Sequence, residues 1–571
     1  MIGAVRRVSG PLVEIDPIPG LAMADLVEVG RGGLTAEVVA LTRDAVTTQA
    51  YEYTGSLAPG DPVRTLGRPL SALLGPGLTG GVFDGLLRPL SYAGTWLLPG
   101  TSAADPAPAD GPAWSLRPAA SPGLTVGPGD LLATVDDAGS VIHRVLVPPG
   151  VAGPLDWLAP PGRYAAADRV AQVAGRSVTL AEWWPVRKPR PYRQRRAAAA
   201  PLVTGQRVLD ALYPLTKGAC AAVPGGFGTG KTVLLQQVAK WCAADVIVYV
   251  GCGERGNELA NVLTELAELT DPRTGGRLAE RTVLIANTSN MPIMAREASI
   301  YTGVCVAEYF RDMGYDAVVI ADSTSRWAEA LREFASRTGA LPAEEGYPAG
   351  LASALAAFYE RAGIVTTLGG QVGSVSIIGA VSPPGGDMTE PVTAHTQRFV
   401  RTLWTLDREL AYARHYPAVS WHGSYCRDAE AVGDWHATRG DPGWADRRAR
   451  MMRLLTRADE LTELADLVGL AALPAGERMT LLAGRLLREA VLQQNALSAT
   501  DAFCSPDKCA ALVDVLLAVA DRLADLAAAG VDPQRLEDHD FAPLVRARED
   551  TGPDDADDVR RRGAAELGRL G

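Results

Sequence analysis

The sequence predicts a multidomain α/β protein with an N-terminal β-barrel, an inserted β-rich subdomain, a doubly wound α/β domain and a C-terminal helical bundle. Three observations lead to this prediction. The chain has 571 residues, which is too long for one hydrophobic core. Short β-forming runs between Gly and Pro turns fill the N-terminal part. Longer apolar runs then alternate with helical stretches, and the C-terminal part has a helical apolar period.

Composition restricts the class of protein. Charged residues make up 21% and hydrophobic residues 47% of the chain, as in a folded globular protein. The net charge of −11 argues against a nucleic-acid surface as the main partner. Seven cysteines without a CxxC pair indicate a reducing compartment. The sequence has neither a bilayer-length apolar run nor a signal-peptide core, so we expect a cytoplasmic location.

Residues 1–66 are predicted to form the β-barrel. Ser-Gly, Pro-Gly and Arg-Gly-Gly turns separate short runs of β-forming residues. Many short strands at this spacing are typical of a small barrel, which serves as a scaffold or assembly module. The predicted strands are Val5–Val8, Leu12–Ile15, Leu26–Val29, Leu34–Leu41 and Ala45–Tyr51.

Gly and Pro become dense after the barrel. We assign residues 67–109 to a connection and residues 110–190 to an inserted β-rich subdomain, in which Gly129–Val147 is predicted to form hairpins. The stretch Ala103–Ala113 is predicted to be a mobile loop. Arg187–Arg196 is basic and broken by prolines. In an acidic chain we expect a solvated linker there rather than a nucleic-acid contact.

Residues 191–440 are predicted to form the doubly wound α/β domain. Its strands are mostly continuous apolar runs, as expected where both faces of a mainly parallel sheet are covered. In such a domain, ligands bind at the carboxyl ends of the strands. The predicted strands are Val246–Val250, Thr282–Ala286, Ala317–Ala321 and Ser374–Gly379.

A phosphate-binding loop lies in this domain at residues 225–232, with the sequence GGFGTGKT. It follows the apolar run Ala221–Pro224 and precedes a predicted helix, Val233–Trp241. This pattern is a P-loop, in which backbone N–H groups surround phosphates, the lysine reaches the β/γ oxygens and the threonine hydroxyl binds Mg²⁺. A chance match is disfavoured because the strand and the helix that the motif requires are both present.

Two carboxylates follow predicted strands of the same domain. Glu254 comes shortly after Val250, and Asp322 directly follows Ala321. An apolar strand that ends in Asp is the Walker B arrangement, which helps to hold Mg²⁺. A second carboxylate at a neighbouring strand end is suited to orient and polarise a water molecule. Either residue alone could instead cap the following helix, but together with the P-loop they favour catalysis.

Residues 441–571 are predicted to be helical. Leu512, Leu516, Val519, Leu523 and Leu526 recur in steps of four and three, giving one apolar face. Packing within a bundle is the expected role of that face. The charge-rich stretch 546–562 is expected to be solvated.

These motifs together resemble the catalytic A (alpha) chain of the V-type/A-type rotary ATPases. The similarity extends over nearly the whole sequence and is weakest in the inserted subdomain, which corresponds to the variable bulge of that family. The matching stretches are Val8–Leu12, Gly75–Leu78, Phe83–Gly85, Pro201–Asp210, the P-loop, Gly251–Glu258, Ala321–Leu331, Glu344–Ala349, Gly373–Asp387 and Leu492–Ala496.

The resemblance implies a RecA-like P-loop domain that binds ATP or ADP with Mg²⁺. Three copies of the chain would alternate with three noncatalytic B subunits in an A3B3 ring, around a central shaft and with a peripheral stalk. ATP hydrolysis or synthesis at the interfaces would be coupled to proton or sodium-ion movement through a membrane rotor. The chain would therefore be peripheral to a membrane, with no nucleic-acid partner, and its composition suggests a bacterial source.

The resemblance also assigns site residues. Glu254 would activate water, Asp322 would be the Walker B acid, and Arg255 would reach the γ-phosphate. The Thr232 hydroxyl would bind Mg²⁺ directly, and the Asp322 carboxylate would bind it through a water molecule. We expect Glu258 and Arg326 to pair across the strand ends, either steadying Glu254 or as a structural pair. The nucleotide would contact Gly225, Gly226, Phe227, Gly228, Thr229, Gly230, Lys231, Thr232, Val233 and, at adenine, Tyr416 and Phe503, although either aromatic residue could instead belong to the core.

The sequence departs from the family at two positions of the loop. Gly226 stands where the family usually has Pro or Ala, which should reduce rigidity and leave the chemistry intact. Thr229 stands where many eukaryotic relatives have a redox-active Cys, so that switch is not expected. The alternatives are a secretion or flagellar export ATPase, a ring translocase on nucleic acid, and a noncatalytic ring subunit. The intact Lys231, Thr232, Glu254 and Asp322 argue against the last of these.

Overall fold

The computed structural model describes residues 2–92, 112–271 and 275–570. The chain forms two compact units, each built from separate segments. The first unit comprises Met1–Ala197, Ala244–Val381 and Ala394–Phe399, and the second comprises Ala198–Ala243, Ser382–Thr393 and Val400–Gly571. The loop predicted at 103–113 lies, as far as residue 111, outside the described residues.

The N-terminal barrel is closed by six strands in the order β1-β2-β5-β4-β3-β6, with β6 pairing back onto β1. The barrel prediction is confirmed. The sixth strand was not predicted, because proline lies at both of its ends and arginines interrupt its apolar residues. Val13, Ile15 and Val63 are fully buried in the barrel core. The strands are β1 (Ile2–Ser9), β2 (Leu12–Ile15), β3 (Asp25–Val29), β4 (Leu34–Leu41), β5 (Val46–Ala50) and β6 (Pro62–Pro69).

The inserted region is β-rich, as predicted. It contains two four-stranded antiparallel sheets, β12-β11-β9-β14 and β10-β13-β15-β16, and two apolar clusters, each of which takes residues from both sheets. The strands between residues 71 and 196, of which β8 and β18 join the sheet of the α/β part, are β7 (Ser71–Leu74), β8 (Val82–Phe83), β9 (Ala113–Pro118), β10 (Thr125–Val126), β11 (Leu131–Val135), β12 (His143–Leu146), β13 (Gly153–Leu158), β14 (Gly162–Ala165), β15 (Arg169–Val173), β16 (Arg176–Thr179), β17 (Glu182–Pro185) and β18 (Gln194–Arg196).

The remaining strands belong to the α/β part of the chain. In the first unit, β26, β24, β22, β23 and β8 run parallel in that order. Beyond β26, β25 pairs antiparallel with β26, and β18 pairs antiparallel with β25. In the second unit, β21 is parallel to β27. The strands are β19 (Pro201–Leu202), β20 (Leu215–Thr216), β21 (Cys220–Pro224), β22 (Val246–Cys252), β23 (Thr282–Asn287), β24 (Asp316–Asp322), β25 (Gly363–Thr366), β26 (Val372–Val381), β27 (Thr402–Leu403) and β28 (Tyr425–Cys426).

Helices of the α/β part alternate with its strands and so complete the predicted pattern. They are α1 (Arg207–Leu212), α2 (Lys231–Trp241), α3 (Gly256–Glu268), α4 (Ile293–Asp312), α5 (Thr324–Arg337), α6 (Leu351–Tyr359), α7 (Pro391–Phe399) and α8 (Arg408–Tyr412). Short 3₁₀ turns lie at Leu90–Tyr92, Leu278–Arg281, Glu344–Gly346, Pro384–Gly386 and Leu470–Ala472, and a π-helical turn lies at Arg488–Leu492.

The C-terminal region is helical, as predicted, and α11 and α15 pack on α12. On the predicted apolar face of α12, Leu523 is fully buried and Leu526 is half-buried. In the described part of the chain, no helix is both long and apolar enough to cross a membrane. The helices are α9 (Ala429–Thr438), α10 (Trp444–Val468), α11 (Ala475–Leu487), α12 (Pro506–Ala528), α13 (Pro533–Glu537), α14 (Ala542–Asp550) and α15 (Ala556–Arg569).

The basic stretch 187–196 is exposed along most of its length, as expected for a solvated linker, but two of its arginines form ion pairs. Arg187 donates to Glu37 of the barrel at 2.9 Å and to Glu297 of α4 at 2.6 Å. Arg190 is only 3% exposed and is held by Glu182 and Asp312, each at 2.6 Å. The sequence did not indicate these ion pairs, because Glu37, Glu297 and Asp312 are distant from the stretch in sequence. The two arginines fasten the barrel and the inserted region to α4, and removing one partner of the buried Arg190 pairs would be strongly destabilising.

A buried histidine links the inserted region to α4. His143 of β12 is 2% exposed, and the Tyr309 hydroxyl lies 3.2 Å from its Nε2. Burial lowers the pKa of His143 from 6.5 to about 3. Because the unfolded chain takes up this proton near pH 6.5 and the folded chain only near pH 3, unfolding is coupled to proton uptake between those values. This histidine therefore reduces stability as the pH falls from 6.5 towards 3.

We expect His143→Phe to make the protein less sensitive to acid. The phenyl ring cannot titrate, so the contribution of up to about 1.4 kcal/mol per pH unit is removed. Melting temperatures of the parent and the variant are measured by calorimetry from pH 7 to pH 4.5. The melting temperature of the parent should fall more steeply with decreasing pH than that of the variant. Parallel pH profiles would contradict a buried, neutral His143.

Candidate nucleotide site

The phosphate-binding loop lies in the second unit, between a buried strand and an exposed helix start. All five residues of β21 are buried, and α2 begins at Lys231. Gly228 and Gly230 have φ values of 79° and 85°, a region in which a side chain is disfavoured. The chain can therefore turn sharply and direct the N–H groups of the first turn of α2 towards an anion.

The first two glycines of the loop have different surroundings. A Cβ atom added at Gly225 would lie 2.7 Å from the Thr229 Oγ1 and 2.8 Å from the Leu406 Cβ, so no side chain fits there. A Cβ atom at Gly226 would meet no atom within 4 Å. The family usually has Pro or Ala at this position. The open space around Gly226 is consistent with the expectation that glycine here leaves the chemistry intact. Phe227 is 97% exposed.

The polar side chains of the loop also contact the loop itself. The Lys231 ammonium donates to the Gly225 carbonyl at 2.5 Å. Thr229 is buried and donates to the Gly226 carbonyl at 2.9 Å, so it stabilises the turn. Thr232 is half-buried in the first turn of α2, and Val233 beside it is exposed. A cationic side chain and a hydroxyl thus lie at a helix start, as phosphate binding requires.

The two aromatic residues assigned to adenine lie in the same unit as the loop. The Tyr416 ring comes within 3.5 Å of a Cβ position at Gly230, so it lies directly over the loop. Phe503 packs against Gly205 and Trp241, with a ring-centroid distance of 5.7 Å to the indole. Tyr416 is 41% exposed, and Phe503 is half-buried. Their partial exposure leaves both rings available for stacking.

The two carboxylates lie in the first unit, at the carboxyl ends of adjacent parallel strands. Gly251 of β22 stands opposite Asp322 of β24, and Glu254 follows three residues after Gly251. Asp322 is 2% exposed, and the Tyr249 hydroxyl lies 3.3 Å from its Oδ2. The neighbouring Ser323 caps α5 by accepting from the Arg326 N–H. Strand register and a helix cap together fix the position of Asp322.

Glu254 lies in a group of three carboxylates. Burial, the charge of Asp322 and a hydrogen bond with Glu258 together raise the pKa of Glu254 to about 8. Arg326 opposes this increase. Like charges at adjacent strand ends disfavour full ionisation, so the group has an excess of negative charge that an incoming cation would relieve.

The predicted pair between Glu258 and Arg326 is not formed in the described residues. Arg326 instead pairs with Glu329, one turn along α5, at 2.9 Å. Glu258 shares a hydrogen bond with Glu254. The reason is local, since the i,i+3 position on the same helix is within easier reach of the arginine than a residue at another strand end.

Two further arginines lie in the same unit. Arg255 is exposed and precedes the first turn of α3. Arg296, which was not singled out in the sequence, has its Cδ 3.3 Å from a Cβ position at Gly253, and its Nη2 donates to the Ser289 carbonyl at 3.0 Å. Arg296 could not be found from local pattern because it lies inside α4, away from any predicted strand end.

Comparison with protein families supports each part of this description. Residues 205–426 match the nucleotide-binding domain of the ATP synthase alpha/beta family, and residues 5–67 match its beta-barrel domain. Residues 109–187 match the ATP synthase alpha/beta barrel-sandwich domain, and residues 433–530 match the C-terminal domain of V and A type ATP synthase. The predicted fold class is confirmed.

Individual relatives are similar over nearly their whole length. The V-type ATP synthase alpha chain of Nitrosococcus oceani is 50% identical, covering 94% of this chain and 92% of the relative. The corresponding A chain of the A-type ATP synthase of Haloferax volcanii is 45% identical, covering 95% and 93%. That of Staphylothermus marinus is 47% identical, covering 90% and 88%.

A solved structure is also similar. It is the assembled ATPase EscN from the type III secretion system of enteropathogenic E. coli, with a TM-score of 0.64 over 91% of this chain and 100% of that one. At 20% identity this likeness shows the shared fold alone. The sequence relatives instead confirm the resemblance predicted from the motifs. The chain belongs to the ATP synthase alpha/beta family, among the catalytic A (alpha) chains of the V-type and A-type ATP synthases.

Proposed function

We propose that this chain carries out the ATP chemistry of a V/A-type rotary ATPase, hydrolysing or synthesising ATP in a reaction coupled to proton or sodium-ion movement across a membrane. One observation carries the proposal. Glu254 and Asp322 lie at the ends of adjacent parallel strands, in a chain that also has an intact phosphate loop. A noncatalytic nucleotide-binding subunit has no need of a carboxylate that activates water.

The phosphate loop would hold the β- and γ-phosphates. The N–H groups of residues 225–232 and the start of α2 favour an anion. Lys231, whose ammonium lies at the loop, would reach the β/γ oxygens. Arg255 and Arg296 are proposed to stabilise charge on the γ-phosphate, since both lie near the loop that carries Glu254.

Glu254 would orient and polarise the attacking water molecule during hydrolysis. A carboxylate in this role must be ionised, yet its neighbours Asp322 and Glu258 favour protonation. Positive charge brought to the group lowers the pKa of Glu254 and restores the carboxylate. Glu258, which is hydrogen-bonded to Glu254, is proposed to orient it. Arg326 supplies a nearby positive charge.

Mg²⁺ would be held by the Thr232 hydroxyl and, through water, by the Asp322 carboxylate. The chemistry of these donors fits, because Mg²⁺ prefers oxygen ligands and commonly uses one or two protein groups together with substrate phosphates. When bound, Mg²⁺ neutralises charge on the phosphate oxygens.

Tyr416 and Phe503 are proposed to hold adenine. The remaining cation at the γ-phosphate would be an arginine from a neighbouring B subunit in an alternating A3B3 ring, so that hydrolysis depends on closure of the interface. A central shaft and a peripheral stalk would complete the soluble sector, which would be peripheral to the cytoplasmic side of a bacterial membrane. Nucleic acid is not a proposed partner.

We further propose that the chain is divided into five regions with different structural roles. Residues 1–66 form the N-terminal barrel, 67–109 the connection and 110–190 the bulge subdomain. Residues 191–440 form the nucleotide-binding domain, and 441–571 form the helical domain. Family matches at 5–67, 109–187, 205–426 and 433–530 support these boundaries.

Glu254→Gln should retain MgATP binding while turnover by the assembled ring falls by about two orders of magnitude or more, the loss expected when a general base is removed. Binding is measured by calorimetry and turnover by phosphate release. Glu333→Gln, on the surface of α5 beside Arg337, is the matched control and should retain turnover. A Glu254→Gln ring with near-normal hydrolysis would show that this carboxylate does not activate water.

Gly225→Ala should weaken ATP binding by about tenfold or more, because the added methyl group meets Thr229 and Leu406 in a turn that cannot widen cheaply. Gly226→Ala adds the same methyl group in open space and should retain the parent affinity. The measurement is the dissociation constant of ATP for each of the two variants, which should be higher for Gly225→Ala than for Gly226→Ala. Equal values would contradict the proposed role of the close approach at Gly225.

A further inference from the structure

We infer that Gln494 is a positioning residue that sets the affinity of the site for the nucleotide base. This inference rests on the proposed function, in which Tyr416 and Phe503 hold adenine. Two stretches that carry the family resemblance, Pro201–Asp210 and Leu492–Ala496, were given no role from the sequence. The structure joins them in one buried polar network centred on Gln494.

Gln494 makes hydrogen bonds with three separate segments of the second unit. Its Oε1 accepts from the Arg207 backbone N–H at 2.8 Å. Its Nε2 donates to the carbonyls of Gly205 at 2.9 Å and Ala502 at 3.3 Å. Its backbone N–H donates to the Tyr416 carbonyl at 2.8 Å. The side chain is 3% exposed, so these bonds are formed away from competing water.

Each of these bonds leads to an aromatic residue of the proposed adenine site. Tyr416 is held directly through its carbonyl. Phe503 follows Ala502 in the chain, and its ring packs so closely against Gly205 that a Cβ atom would not fit there. Gln494 therefore holds the segment that carries Tyr416 through its backbone N–H, and the two segments that fix Phe503 through its side-chain amide.

A buried ion pair holds the network in place. Arg207 donates from Nη1 to Asp501 at 2.6 Å, from Nε to the Val491 carbonyl at 2.6 Å and from Nη2 to the Gln493 carbonyl at 2.7 Å. Arg207 is 1% exposed and Asp501 is fully buried. Because the guanidinium binds two backbone carbonyls just before Gln494 and a carboxylate after it, the backbone around the amide is fixed. Displacement of Gln494 would move the rings, whereas the hydrogen bonds of Gln494 itself go to residues outside the phosphate loop.

The test compares two ligands, ATP and inorganic tripolyphosphate, on the full-length chain in the presence of Mg²⁺. Tripolyphosphate presents phosphates without a base. Gln494→Ala should weaken ATP binding about tenfold, the loss expected for one or two hydrogen bonds. Tripolyphosphate binding should stay within about twofold of the parent. A general loss of structure would weaken the binding of both ligands. A loss of affinity for ATP alone therefore reports on the contacts with the base.

Two further variants sharpen the experiment. Gln534→Ala, at an exposed position of α13, is the matched control and should retain ATP affinity, because its side chain hydrogen-bonds with Arg478 and Asp538 instead of with the network. Gln494→Glu keeps the acceptor for the Arg207 N–H but turns an acceptor towards the Gly205 and Ala502 carbonyls, so a loss of ATP affinity at least as large as that of Gln494→Ala is expected. This variant decides the question if Gln494→Ala does not fold.

The inference is overturned if Gln494→Ala, or Gln494→Glu in its place, binds ATP as tightly as the parent, or if it loses affinity equally for both ligands. Failure of the underlying adenine assignment gives a different result. In that case Tyr416→Ala in the otherwise unchanged chain would bind ATP with the parent affinity, and the parent would bind tripolyphosphate as tightly as ATP.

Discussion

The repulsion among three carboxylates at the ends of two parallel strands is the constraint on which the proposed chemistry depends. Glu254, Glu258 and Asp322 are held together by strand register and by the start of α5, and burial raises the pKa of Glu254 to about 8, helped by its neighbours. Such a group is unfavourable by itself and becomes favourable when positive charge arrives. A site of this kind responds to bound cations, which suits a reaction that must occur only when a nucleotide and a neighbouring chain are in place.

Ion pairs between arginines and buried carboxylates maintain the architecture of each unit. In the first unit, Arg187 links the barrel residue Glu37 to Glu297 of α4. In the second unit, Arg207 with Asp501 fixes the loop that carries Gln494. Each guanidinium satisfies several acceptors, and that is the condition under which a buried charge pair is tolerated. Ion pairs of this kind hold domains together in the first unit and hold the proposed binding site together in the second.

The parts that were predictable from the sequence are those with a local pattern. Short strands and turns predicted the barrel, and continuous apolar runs predicted β22–β24 and β26. The motif spacing predicted a turn before α2, and Asp322 ends its strand as expected. Most of the parts that the sequence did not reveal depend on residues distant in sequence. Arg187 and Arg190 find carboxylates on other elements, and Arg296 and Gln494 acquire neighbours only when the chain folds. The predicted pair of Arg326 with Glu258 was wrong for the opposite reason, because Glu329 on the same helix is nearer.

The most direct test of the account is ATP turnover by this chain alone and in the ring with its noncatalytic partner. The account predicts that a verified monomer hydrolyses MgATP at least about a thousandfold more slowly per site than the ring, because an arginine supplied in trans is worth about that factor or more. Turnover by the monomer at the rate of the ring would contradict the central claim that this chain provides only its own share of an interfacial catalytic site.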